Sequence, residues 1–275
     1  MRLRCAGREL DLTRPVVMGV LNVTPDSFSD GGRFRDAATA IAAGLDMVEQ
    51  GAAIVDVGGE STRPGATPVD EHEELARVLP VVEGLARRGV LVSVDTSSPL
   101  VMRAALDAGA GLINDVRALR RAGALDVLAA SEAAACLMHS GGEPATMQDD
   151  PRYADVVTEV KAFLAERVQA CVTAGIAPER LAVDPGFGFG KTHWHNLELL
   201  RRLEQFAELG RPVLVGLSRK SLLGFLTGRP IGERLAGSIA LATLAVASGA
   251  RIVRAHDVAA TLDAVRVAAA WRDRG

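Results

Sequence analysis

Apolar positions along this 275-residue chain alternate between two rhythms. Short unbroken apolar runs, such as Val16-Val17-Met18-Gly19-Val20-Leu21, end on a polar residue and spill into polar, glycine-rich loops. Longer stretches follow in which apolar residues recur every three or four positions, as Ala37, Ala40, Ile41, Gly44, Leu45 and Val48 do before Gly51. The first rhythm predicts strands buried on both faces, and the second predicts helices that pack one face against them. Strands are expected at 16–22, 53–56, 90–95, 112–114, 134–139, 181–184, 213–217 and 251–255. Helices are expected after each: one capped by Asp36, one at 71–88 closed by Gly89, and one from Ser98-Pro99 to Gly109. The others fall at 124–130, 153–174 and 196–209, in segments between 221 and 248, and at 258–272. Residues 2–12 read as a small hairpin turning at Ala6-Gly7.

Eight strand-then-helix units with no linker or change of composition predict an α/β fold. The expected form is a closed (β/α)8 TIM barrel with a short N-terminal β-hairpin, one domain over residues 1–275. An open doubly wound sheet is the competing arrangement, and the number of units favours closure. A net charge of −3 and scattered basic pairs such as Arg87-Arg88 and Arg201-Arg202 describe solvated helix faces, so no nucleic-acid partner is expected. The longest greasy segment, 239–247, is too short for a membrane span, and no apolar run follows Met1-Arg2-Leu3-Arg4 as in a signal peptide. Cys5, Cys136 and Cys171 lie far apart without metal-ligand spacing, as in a reducing cytoplasm.

In such a barrel the strand C-termini share one rim, where ligands bind. The strand ends read Asn22, Asp56, Asp95, Asn114, Asp184, then Ser218-Arg219-Lys220 and Arg254-Ala255-His256. Singly, each acid or amide could be a helix N-cap. Together they divide into two chemistries. Asp95, Asn114 and Asp184 suit a flat heterocycle rich in N–H groups and ring nitrogens, whereas Arg63, Arg254 and His256 suit an anion such as pyrophosphate. In a ligand-bound structure, Asp184 pointing away from the ligand, or Arg254 buried against an internal carboxylate, would end this reading as a whole. The run Gly186-Phe187-Gly188-Phe189-Gly190-Lys191-Thr192 has Pro185 where a phosphate loop needs its first glycine, so nucleotide binding is not expected there. His193-Trp194-His195 lacks a third metal ligand and reads as a helix start, and His139 and His72 read as structural.

These segments resemble the dihydropteroate synthase family of folate biosynthesis. The resemblance rests on residues 18–32, 56–65, 93–97, 113–115, 181–191 and 214–221, and on Arg254-Ala255-His256-Asp257, in the family's order. Ser140-Gly141-Gly142 and Thr192-His193-Trp194 depart from its commoner forms without touching a residue of assigned role. The resemblance implies the same barrel and the condensation of 6-hydroxymethyl-7,8-dihydropterin pyrophosphate with 4-aminobenzoate, giving 7,8-dihydropteroate and pyrophosphate. It implies that Asp184, Asn114 and Asp95 read the pterin, with Lys220 on its carbonyl side and Phe189 against a ring. It further implies that Arg63, Arg254 and His256 draw off pyrophosphate, that Asn22 holds Mg2+, and that Phe28, Thr62, Pro64 and Ser221 shape the aminobenzoate pocket. The loops 24–33 and 58–67 would then close to exclude water. A cytoplasmic homodimer is the family's expected form. Two alternatives share the pterin acids: a catalytically silent pterin-binding paralogue, and a methyltransferase that presents methyltetrahydrofolate to a corrinoid protein.

Overall fold

The computed structural model describes residues 1–23, 37–60, 69–142, 147 and 151–272. A two-stranded antiparallel hairpin, β1 (Arg2–Cys5) and β2 (Arg8–Asp11), precedes the barrel and turns on Ala6 and Gly7, both at positive φ. The barrel strands are β3 (Val16–Asn22), β4 (Ile54–Gly58), β5 (Val92–Asp95), β6 (Leu112–Asp115), β7 (Ala134–Met138), β8 (Leu181–Asp184), β9 (Leu214–Gly216) and β10 (Ile252–Ala255). They pair in parallel in the order β8-β7-β6-β5-β4-β3-β10-β9. A parallel bridge between Val183 and Val213 joins the two ends. The barrel closes.

Each strand is followed by helix on the outside: α1 (Ala37–Glu49), α2 (Glu71–Ala86), α3 (Pro99–Asp107), α4 (Ala124–Ala129), α5 (Val156–Thr173), α6 (His193–Arg201), α7 (Ser221–Thr227) with α8 (Leu235–Ala247), and α9 (Val258–Arg272). Two expectations need correction. On α1, Met47 rather than Val48 continues the inward stripe: its sulfur presses on Gly19, where a Cβ would sit 2.9 Å away, and Val48 faces solvent. The helix expected at 196–209 begins instead at His193 and gives way to 3-10 turns over Leu203–Leu209. Thr192 accepts the His195 N–H while His195 Nδ1 accepts the Thr192 N–H, a reciprocal cap that starts the helix early. Asp36 lies outside the described residues.

Strand side chains alternate between faces, so residues two apart share one. The inward set on the N-terminal half of the strands is apolar: Met18, Ile54, Leu112, Ala134, Ala182, Leu214 and Ile252 pack together, and Leu3, Cys5 and Leu12 close them from below. The hairpin is the barrel's plug. Two residues further along the same face come Val20, Asp56, Asn114, Cys136, Asp184 and Arg254. The polar strand ends are therefore the upper layer of one continuous core. The outward residues, Val17, Val55, Val57, Val94, Ile113 and their neighbours, pack under the helices.

Candidate functional site

Register decides which polar ends meet. Asp56 pairs with Ser93, Gly58 with Asp95, and Asp95 with Asn114, while Arg254 lies beside Met18 on one side and Gly216 on the other. Arg254 reaches across the mouth to this acidic arc. Its Nε donates to Asp56 Oδ2 at 2.6 Å and its Nη2 to Asp95 Oδ2 at 2.8 Å. Asn114 Nδ2 donates to the same Asp56 oxygen at 3.1 Å. The expectation that Arg254 stands as a cation for an anionic ligand is thus revised: two of its donors are spent on internal carboxylates. The reason is electrostatic, since Asp56 is fully buried and an unpaired charge there would cost several kcal/mol.

Burial pushes the Asp95 carboxyl up to about 7 against the pull of Arg254. Burial also lowers an arginine, yet the charges of Asp56 and Asp95 win and Arg254 is held above its ordinary value. Asp184 is raised to about 6 by burial, opposed by the Gly186 N–H, which donates to its Oδ1 at 2.7 Å, and by Lys220, Lys191 and Arg254. Among the described residues, Asp56 Oδ1, Asp95 Oδ1 and Ser93 Oγ are buried in the protein with no hydrogen-bond partner. Two of these are carboxylate oxygens, which only accept when ionised.

The opposite side of the mouth carries the cations and the ring. Lys220 Nζ sits 4.2 Å from the centroid of Phe189, a cation–π contact between the exits of β9 and β8. Phe189 packs with Val116, Met138 and Met147 as an apolar wall. Ser221 opens α7 directly after Lys220, as expected for a residue near a helix N-terminus. Ser218 Oγ lies 3.0 Å from His256 Nδ1 and also accepts the His256 backbone N–H, which fixes the imidazole at the rim. Asn22 ends β3 next to Gly58, and an added Cβ on Gly58 would lie 3.5 Å from the Asn22 amide oxygen and 3.6 Å from Asp95 Cβ.

The backbone of this rim is braced from behind. Arg219, at a φ of 58°, forks onto both oxygens of Asp257, and its N–H donates to Ser238 Oγ. Arg234 Nη1 donates to the carbonyls of Arg219 and Lys220. The discounted glycine-rich run is not a phosphate loop: Lys191 is buried and its ammonium is turned into the protein. Thr62, Arg63, Phe28 and Pro64 lie outside the described residues, as does most of each rim loop.

Sequence reasoning gave no role to Asp56, Ser93, Lys191, Ser218 or Arg219. Asp56 was visible as an acid ending an apolar strand, and its two-residue spacing from Ile54 already placed it inward. Glu74 left no such signal. It sits on the helical face of α2, buried, with its carboxyl raised to about 7 mainly by burial and with Oε1 lacking a hydrogen-bond partner among the described residues.

A closed barrel whose mouth gathers buried carboxylates and an amide with lysine, histidine and phenylalanine has the make-up of a small-molecule site. Comparison with known proteins gives the same class. The sequence pattern of the pterin binding enzymes matches residues 18–256. The dihydropteroate synthase of Escherichia coli (strain K12) is 51% identical over 268 residues, covering 97% of this chain and 95% of that protein. The structure of the Yersinia pestis dihydropteroate synthase with a sulfonamide drug complex superimposes with a TM-score of 0.96 at 48% identity, covering 99% of this chain and all of that one. The Burkholderia cenocepacia dihydropteroate synthase complexed with 7,8-dihydropteroate gives 0.90 at 49% identity, covering 99% and 97%. The chain belongs to the dihydropteroate synthases of the pterin-binding enzyme family.

Proposed function

We propose that the chain condenses 6-hydroxymethyl-7,8-dihydropterin pyrophosphate with 4-aminobenzoate, yielding 7,8-dihydropteroate and pyrophosphate. The observation that carries this reading is the acidic arc, in which Asp56, Asp95 and Asn114 lie on adjacent strands and one carboxylate oxygen each of Asp56 and Asp95 is buried without a hydrogen-bond partner among the described residues. A dihydropterin presents an amino group and ring N–H groups in one plane. Asp184 accepts from that pattern with its remaining acceptor capacity, Asp95 and Asn114 take the rest of the ring, and Lys220 donates to the carbonyl side.

In the reaction the bond from the exocyclic methylene carbon to the pyrophosphate oxygen breaks, and the oxygen keeps the electron pair. The amine lone pair of 4-aminobenzoate then forms the new C–N bond, and the nitrogen passes one proton to water or to the released pyrophosphate. An arylamine is already neutral near pH 7, so no strong general base is required. Stabilising the leaving group is the main task, and each preorganised donor is worth about 3–4 kcal/mol. His256 through a ring N–H and Lys220 through its ammonium donate to the leaving group from the described rim, and Arg63, which lies outside the described residues, is assigned the same task as a second cation. Arg254 contributes by holding the Asp56 and Asp95 carboxylates in place with its two donors. Phe189, with Thr62 and Ser221, holds the aminobenzoate.

Asn22 offers a neutral oxygen at the rim, which fits Mg2+, a hard cation that takes few protein ligands and keeps substrate oxygens and waters. When bound, Mg2+ supplies Lewis-acid stabilisation of phosphate oxygens. Among the described residues no group of three or more His, Cys, Asp or Glu forms a separate metal site. Three free, buried cysteines fit the cytoplasm as its compartment.

Mixing the purified protein with the pterin pyrophosphate, Mg2+ and 4-aminobenzoate is expected to release pyrophosphate only when the amine is present. Pterin binding with no release would instead indicate a silent paralogue.

The protein is also proposed to work as a homodimer. Phe225, Leu226, Leu235, Leu244, Val267 and Trp271, on α7, α8 and α9, are large apolar residues left exposed. Sedimentation equilibrium is expected to give twice the chain mass; a single-chain mass at micromolar concentration would remove this part of the proposal.

A further inference from the structure

The loop that leaves β8 is held by the buried Lys191, which no step above uses; burial pushes its ammonium down to about 7, against the pull of Asp184. Lys191 Nζ lies 2.9 Å from each of three acceptors: His139 Nδ1, the carbonyl of Gly186 and the carbonyl of Phe189. A fourth, the His139 carbonyl, is at 3.3 Å. An ammonium has three protons to give, and three close acceptors take them. Burial and the neighbouring Lys191 charge push His139 down to about 3, so its ring is neutral and Nδ1 can accept.

The backbone is bent to make this cage. Gly186, Gly188 and Gly190 all have positive φ, which turns their peptide units so that carbonyls converge on one point. A Cβ on Gly186 would fall 1.9 Å from the His139 carbonyl oxygen, and one on Gly190 would fall 2.6 Å from Gly141 Cα. The β8 loop is therefore pressed onto the β7 exit, and Tyr153 ties the outside by donating its hydroxyl to the Gly190 carbonyl at 2.8 Å. The two residues between which Lys191 is strung both serve the site. Gly186 donates its N–H to the Asp184 carboxylate, and Phe189 carries the ring beneath Lys220.

We propose that Lys191 is a positioning residue for substrate binding: its ammonium pins the carbonyls of Gly186 and Phe189 against His139, and so sets the Asp184 carboxylate and the Phe189 ring in place for the two substrates. The inference rests on the proposed function for the identity of the substrates, but the cage itself does not depend on it. Lys191 touches neither substrate, and its effect is carried by the loop.

The test compares Lys191→Met with Arg180→Met. Arg180 is a second buried cation, donating to the carbonyls of Ala133 and Leu128 at the opposite end of the barrel from the mouth. Both variants are expected to lose thermal stability. Only Lys191→Met is expected to weaken binding of the pterin pyrophosphate and to raise KM for 4-aminobenzoate, each by about tenfold or more, the scale of one lost charge-assisted hydrogen bond. Tyr153→Phe removes a single tie on the same loop and serves if Lys191→Met does not fold. It is expected to raise KM for 4-aminobenzoate by about threefold at unchanged kcat.

Unchanged binding and KM in folded Lys191→Met would overturn the proposal. So would equal losses in Arg180→Met, or, where Lys191→Met is unfolded, an unchanged KM in Tyr153→Phe. Failure of the functional reading shows separately, as absence of amine-dependent pyrophosphate release in the unsubstituted protein. In that case faster amide exchange of residues 186–191 in Tyr153→Phe, but not in Arg180→Met, reports on the clasp alone, and equal exchange in both overturns it.

Discussion

Arg254→Met is expected to lower the unfolding free energy by about 3–5 kcal/mol near pH 8, the usual cost of stranding buried charge. The substitution conserves bulk but removes the partner of two carboxylates, one of them fully buried. The pH dependence distinguishes this cause from a packing defect. Asp95 has a folded value of about 7, above its ordinary 3.8, so its contribution to stability is complete below about 4 and is lost as pH rises through about 7. Without Arg254 the carboxyl is pushed higher still and is protonated over a wider range. The gap between variant and parent should therefore be widest above pH 7 and should narrow toward pH 5. Urea titrations at both pH values measure it. A gap of the same size at pH 5 and pH 8 would mean that charge is not what Arg254 contributes. Lysine at this position should recover only part of the loss, because one ammonium cannot reproduce a fork that serves two acids.

The second large effect concerns recognition. Asp184→Asn keeps an oxygen for the Gly186 N–H but turns a carboxylate into an amide, whose own N–H groups would meet the donors of a pterin. Two charge-assisted hydrogen bonds at about 1.5–3 kcal/mol each predict a loss of about 10²–10⁴ in affinity, with the fold intact. Calorimetric titration with the pterin pyrophosphate reads this directly. Because burial raises Asp184 to about 6, affinity in the parent protein should fall as pH drops below that value, and the asparagine variant should show no such limb. Binding by Asp184→Asn within about threefold of the parent would remove Asp184 from the pterin subsite.

Much of the architecture could be read from local pattern. Unbroken apolar strands alternating with periodic helices imply a parallel sheet covered on both sides, and β8 and α9 fall at the expected boundaries. Helix starts written into single residues also held: Ser98 caps α3 ahead of Pro99. Where helix limits shifted, a local competitor explains it, as with the Thr192–His195 cap. The polar strand ends were legible too: Asn22, Asp56, Asp95, Asn114, Asp184 and Arg254 stand at or near the C-terminal ends of their strands.

Partnership was not legible. The sequence shows Arg254 as a cation at a strand end, and the chemistry of arginine alone suggests an anion. Only the register that carries β10 alongside β3, and the closure that brings β10 across from β4 and β5, reveal that its partners are Asp56 and Asp95. Lys191 is the same lesson in reverse: a lysine after a glycine-rich run suggests phosphate, and the fold turns it inward onto backbone carbonyls. Which residue sits at which strand end is a property of the chain's one-dimensional order, and the sequence by itself determined it. Which charges neutralise one another, and which acceptors remain to meet a ligand, was decided by tertiary structure. Those pairs lie as many as 198 residues apart and meet only when the barrel closes.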